Sequence, residues 1–137
     1  MDFKGSVGYL IHELAQHITA ESDQVLLQRF GIGFSQYKVL VSLEVTQGVP
    51  QKQIAKSLSQ SEASVSRQIG LLIDKDLVEI GPAADNRQHL IYLTRRGEEM
   101  VLKASNALNV YHAPFFEHLS ERQMVQLSEL LQLVNLR

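Results

Sequence analysis

Between Gln51 and Lys75 the chain reads QKQIAKSLSQSEASVSRQIGLLIDK, two short amphipathic segments divided by a tight polar break. Ile54, Ala55 and Leu58 share one face of the first segment. Val65, Ile69, Leu72 and Ile73 share one face of the second, at the helical period of about 3.6 residues. Ser59-Gln60-Ser61 forms the break, and the Ser61 hydroxyl can accept from backbone N–H groups one turn into the second helix. The outward face of that helix carries Glu62, Ala63, Ser64, Ser66, Arg67 and Gln68. Small side chains permit close approach to a groove, hydroxyls and amides bond phosphates or base edges, and an arginine can reach guanine. Two-helix corners are common in proteins that bind no DNA, so the residues beyond the corner decide its meaning.

Those residues change pattern. Leu77-Val78-Glu79-Ile80 and His89-Leu90-Ile91-Tyr92-Leu93 have strand character and flank the turn formers Gly81-Pro82-Ala83-Ala84-Asp85-Asn86-Arg87-Gln88. A hairpin directly behind a helix–turn–helix is a wing. Upstream, Ser6 to about Phe30 predicts a long helix with Val7, Leu10, Ile11, Leu14 and Ile18 on one stripe, ended by Gly31 and Gly33. Ser35 is expected to cap a second helix running through Gln47. Gly48 would stop it, and Pro50 would start the next helix. Downstream, Thr94 opens a helix that Pro114 should kink or end. Ser120-Glu121-Arg122-Gln123 matches a capping box. The last helix carries Met124, Leu127, Leu130, Leu131 and Val134, widened by Val125, Leu133 and Leu136, a broader stripe than one small domain needs to cover. The expected fold is mainly α with a small β-hairpin wing.

The chain has 137 residues, enough for one compact domain with a core, and 45% of them are apolar. No apolar run approaches the roughly 20 residues of a membrane span. The opening MDFKGSVGYLIHELAQ lacks a secretory core, so a cytoplasmic protein with no membrane partner is expected. The absence of cysteine excludes disulfides and thiol chemistry. Seven basic and five acidic side chains lie between Gln51 and Arg96, a local excess of positive charge in a chain whose net charge is −2. Five histidines raise a metal question. His12 and His17 are five residues apart and His112 and His118 six, not the i, i+4 pairing that brings two ligands together on a helix. No metal and no cofactor is therefore expected. No nucleophile elbow, P-loop or paired-glycine nucleotide motif occurs, so no enzyme is expected.

The ordered run FSQYKVLVSL, QIAKSL, SEASVSRQIGLL, DLVEI and DNRQHLIYLTRRG resembles the MarR family of bacterial transcriptional regulators, over roughly Phe34 to Val101. Asp85-Asn86-Arg87 is similar to that family's D-x-R wing element. The resemblance implies a winged helix–turn–helix at residues 31–96, with residues 1–30 and 97–137 as dimerisation helices of a single intertwined domain. It implies an obligate homodimer on a pseudo-palindromic double-stranded operator, acting as a repressor relieved by a small aromatic or lipophilic effector. Carried over by position, Ser61, Ser64, Ser66, Arg67 and Gln68 would meet phosphates and base edges. Arg87 would enter a minor groove, and Asp85 would orient the wing. His12, Tyr37 and Tyr111 are the polar-tipped candidates for an effector pocket. Asp76 stands where many relatives have glycine, and Gly81 where a basic residue is frequent. The rival readings are a winged-helix module that docks a protein partner and a ligand- or metal-sensing protein without direct DNA binding.

Overall fold

The computed structural model describes residues 3–82 and 89–134. A short 3-10 turn, Phe3–Gly5, leads into α1, Val7–Phe30. Ser6 caps α1 by accepting from the Tyr9 N–H at 3.3 Å. Gly31 ends it at φ 69°, in the left-handed region that a residue without Cβ enters freely. The two halves of α1 differ. Ser22, Val25 and Leu26 are buried, whereas Val7, Leu10 and Ile11 from the expected stripe are exposed.

Helix α2 covers Phe34–Val41, shorter than the sequence suggests and shifted at its start. The N-cap is Gly33, not Ser35. The Gln36 side chain accepts the Gly33 N–H, and Asp23 of α1 accepts the Phe34 N–H at 2.9 Å. A carboxylate from another helix thus supplies what a local serine was expected to give. The helix stops at Val41, well before Gln47. Ser42 donates from its hydroxyl to the Val39 carbonyl, and the Glu44 carbonyl then accepts the Leu93 N–H at 3.0 Å. Leu43 continues the apolar pattern but is buried from outside the helix.

Among the described residues the sheet has three strands, where the sequence suggested two. β1 is Val49–Pro50, β2 is Val78–Pro82 and β3 is His89–Leu93, in the antiparallel order β1-β3-β2. Val49 faces Ile91, Val78 faces Leu93, and Pro82 faces His89. Pro50 closes β1 and caps the following helix rather than opening it. Gly48 is required by close approach, not by a helix end. A Cβ there would come within 2.4 Å of the Leu90 Cβ and 2.7 Å of the Tyr92 ring.

Helices α3, Gln51–Ser57, and α4, Glu62–Asp74, follow as the expected corner. Ile54, Ala55, Val65, Ile69 and Leu72 enter one core with Leu26, Ile32, Leu40, Leu77 and Ile91. Ile73, assigned to the inner stripe from the sequence, is exposed. Helix α5, Arg95–His112, is capped by Thr94, which accepts the Gly97 N–H at 2.9 Å. It packs on α1 and α2 and ends in a 3-10 turn, Ala113–Phe116, that contains Pro114. Helix α6, Glu121–Leu133, starts with the expected capping box between Ser120 and Gln123. It has no buried residue. Its apolar side instead forms an open groove with α1, lined by Val7, Leu10, Ile11, Leu14, Leu127, Leu130, Leu131 and Val134.

Candidate nucleic-acid interface

The polar break folds around Ser59, which takes φ 53°, a left-handed value uncommon for a side-chain-bearing residue. The Gln60 N–H then reaches back to the Ala55 carbonyl at 2.9 Å, closing the end of α3. Ser61 caps α4, its hydroxyl accepting the Ser64 N–H at 3.1 Å. Gln51, at the start of α3, donates from its side-chain amide to the Glu62 carbonyl at 3.2 Å. The N-terminus of α4 is therefore held by its own cap and by a side chain of the preceding helix.

That anchoring fixes which residues face water. Val65, Ile69 and Leu72 turn inward. Ser61, Glu62, Ala63, Ser66 and Arg67 are exposed, and Ser64 and Gln68 are half-buried. All five expected contact residues of the recognition helix, Ser61, Ser64, Ser66, Arg67 and Gln68, thus lie on the solvent side of its first two turns. The Ser61 hydroxyl is engaged in capping, which leaves Ser66 and Arg67 as the most open of the set. Lys52 and Lys56 are exposed on α3, which packs against α4. They extend the basic surface and were absent from the sequence-derived site, although their i, i+4 spacing puts them on one helix face.

The hairpin pairs down to Pro82 and His89. Asp85 and Arg87 fall between these residues and lie outside the described residues. One pair before the loop, where Gly81 faces Leu90, a Cβ on Gly81 would come within 2.8 Å of the Tyr92 ring. Any side chain there displaces that ring, which accounts for glycine where a basic residue is frequent. Asp76 has φ 59°, a geometry that favours glycine, so the departure noted in the sequence coincides with a left-handed turn.

The three effector candidates lie in different settings. Tyr37 stacks near Phe34, with ring centroids 6.0 Å apart, and its hydroxyl meets Ser105 Oγ at 2.7 Å, joining α2 to α5. His12 lines a shallow groove along α1 with Ala15, Gln16, Thr19 and Ala20. Tyr111 is exposed near the end of α5, its ring edge-on to His112. His112 itself bonds through Nε2 to the buried Ser22 hydroxyl at 2.9 Å. Burial holds its pKa below the usual histidine range, opposed by the nearby Glu21 carboxylate. Among the described residues, no three histidine, cysteine or acidic side chains cluster to hold a metal ion, and no helix is long and apolar enough to cross a membrane.

This arrangement has close parallels. The MarR family model matches residues 30–89. An uncharacterized HTH-type transcriptional regulator, YwoH of Bacillus subtilis strain 168, is 30% identical over 113 residues, which is 81% of this chain and 80% of the relative. Wild-type apo MarR from E. coli superposes with a TM-score of 0.80 at 25% identity, covering 93% of this chain and 94% of that one. MepR from S. aureus, in a complex with DNA, superposes with a TM-score of 0.73 at 25% identity, covering 96% and 95%. By the match of the winged corner, the relative matched over four-fifths of both chains and the shared fold, the chain belongs to the MarR family of transcriptional regulators.

Proposed function

We propose that the protein is a cytoplasmic homodimer that binds a pseudo-palindromic operator in double-stranded DNA and represses transcription until a small aromatic or lipophilic effector releases it. It is a regulator and not an enzyme. One observation carries this reading. The inner face of α4 is locked into the core, while its first two turns offer serines, an arginine and a glutamine to solvent. That surface suits a major groove. The likeness to a MepR–DNA complex supports duplex DNA as the ligand.

Dimerisation is supported by the apolar groove between α1 and α6 and by an α6 that buries none of its own residues. In this reading residues 1–30 and 97–137 pair with their copies, and residues 31–96 read DNA. Two α4 helices then meet successive major grooves roughly 34 Å apart. Ser61, Ser64, Ser66, Arg67 and Gln68 contact phosphates and base edges, Arg87 enters the minor groove, and Asp85 orients the wing. An effector at His12, Tyr37 or Tyr111 acts only by binding the DNA-incompetent spacing more tightly than the competent one.

Selection from a random duplex pool, followed by fluorescence anisotropy, tests the proposal. The expected result is an enriched palindrome whose affinity falls steeply with salt. Arg67→Ala and Arg87→Ala should each weaken binding by about 1–3 kcal/mol with thermal unfolding unchanged. A dimer that enriches no sequence, or salt-insensitive capture of a single protein instead, overturns it.

A further inference from the structure

The recognition helix ends in two neighbouring residues, and each is fastened to a different long helix. Lys75, just past the end of α4, donates from Nζ to the carbonyl of Gly31, the cap of α1. A cation there also meets the negative end of the α1 dipole. Asp76 follows, in its left-handed turn, and its carbonyl accepts from Thr94 Oγ1 at 2.8 Å. The same Thr94 oxygen caps α5 through the Gly97 N–H. Backbone contacts reinforce the second fastening. The Thr94 N–H bonds the Leu77 carbonyl at 3.1 Å, and a Cβ on Gly97 would lie 2.1 Å from that carbonyl. The rest of α4 packs chiefly on α2, α3 and β2, within the reading lobe.

The geometry points to this double fastening as the joint that sets the angle of the recognition helix against α1 and α5, making Lys75 and Thr94 positioning residues for operator spacing. The inference rests on the DNA-binding reading above. Helix α4 has 13 residues. Its DNA-facing tip is therefore about 20 Å from the joint. A rotation of about 10° over that lever moves the tip by about 3.5 Å, close to the rise of one base pair. Because the contact residues sit at the end of α4 that is held within the reading lobe, and both fastenings to the long helices sit at the other, a loosened joint changes register before it changes the contact surface.

Two variants separate positioning from stability. Lys75→Met keeps the aliphatic stem and removes the donor. Thr94→Asp keeps an acceptor for the α5 cap but cannot donate to the Asp76 carbonyl. Their conservative counterparts, Lys75→Arg and Thr94→Ser, retain both donors. The chain has no cysteine, so Ala63→Cys at the tip of α4 takes one spin label per subunit. In the labelled dimer, the pair distance should be narrowly distributed in the parent and in K75R/T94S, and broad in K75M/T94D. On duplexes selected as above, inserting or deleting one base pair between half-sites should cost the parent about tenfold in affinity. K75M/T94D should bind the three spacers about equally. An unchanged distance distribution and an unchanged spacer preference in K75M/T94D overturn the inference. If K75M/T94D unfolds, Lys75→Met alone, which leaves the cap intact, must broaden the distances or the inference fails. A parent dimer with sharp distances that binds no duplex overturns the functional reading while leaving the joint standing.

Discussion

Asp76 adopts φ 59°, where a side chain crowds the following carbonyl and costs about 1 kcal/mol relative to glycine. The turn itself is held by backbone groups, through the bond from the Asp76 N–H to the Ile73 carbonyl and the bond from Thr94 to the Asp76 carbonyl. Asp76→Gly should therefore raise stability by about 1 kcal/mol in urea unfolding. A lower midpoint would mean that the Asp76 carboxylate holds the turn. His112 makes a different case. Its ring meets the fully buried Ser22 hydroxyl, and burial lowers its pKa against the pull of Glu21. The folded state thus favours the neutral ring. That contribution is complete above about pH 6.5 and is lost as pH falls through the lowered folded value. Thermal unfolding followed from about pH 7 down to about pH 5 should show the transition temperature dropping in the parent. His112→Gln can still bond Ser22 but cannot titrate, and it should flatten that part of the profile. Identical profiles would assign the drop to other groups.

Two glycines inside helices call for opposite outcomes from one substitution. Gly70 lies on the exposed side of α4, and a Cβ there would meet nothing within 4 Å. Gly70→Ala should stabilise the protein by about 1 kcal/mol, the helix-propensity difference. Gly97 lies in the first turn of α5, where a Cβ would collide with the backbone of Leu77. Gly97→Ala should destabilise by about 1–3 kcal/mol, because backbone rather than a flexible side chain must yield. Denaturant midpoints of the two variants decide the matter, and equal shifts would contradict the packing at the α5 start. The contrast also marks what the sequence could carry. Both glycines look alike in a string, and only the fold distinguishes them. Helices α1, α4, α5 and α6 were legible because each opens on a side-chain cap: Ser61 and Ser120 accept as expected, and Ser6 and Thr94, where the sequence begins its helices, accept as well. Helix α2 was overrun because Leu43 and Val45 extend its apolar pattern, while the true end depends on Glu44 bonding to Leu93 far along the chain. β1 has only two residues, too few to display a period. The solvent face of α4 followed directly from its inner stripe. The fastenings at Lys75 and Thr94 did not, since their partners lie 44 and 18 residues away.

The apolar side of α6 lies open in the single chain. Leu130 and Leu133 are 62% and 80% exposed in the single chain, and Leu130 lines the groove shared with α1. A two-fold dimer would cover such a face with its own copy, so each residue in the contact counts twice. Burying one leucine contributes about 2 kcal/mol, and losing two contributes about 4 kcal/mol. At 1.4 kcal/mol per factor of ten, Leu130→Glu should weaken association roughly a thousandfold, before any cost of burying the new charge. Sedimentation at micromolar concentration should therefore find the variant largely monomeric where the parent is dimeric. The core around Leu26, Leu40, Val65 and Leu72 does not include α6, so the reading lobe should keep its helical signal. DNA binding should nevertheless collapse, although no side chain of α4 or the wing has changed, because a single lobe must find its half-site without the second. A Leu130→Glu chain that remains a tight dimer would place the contact on another face. One that becomes monomeric yet keeps full affinity for the operator would break the link between pairing and recognition.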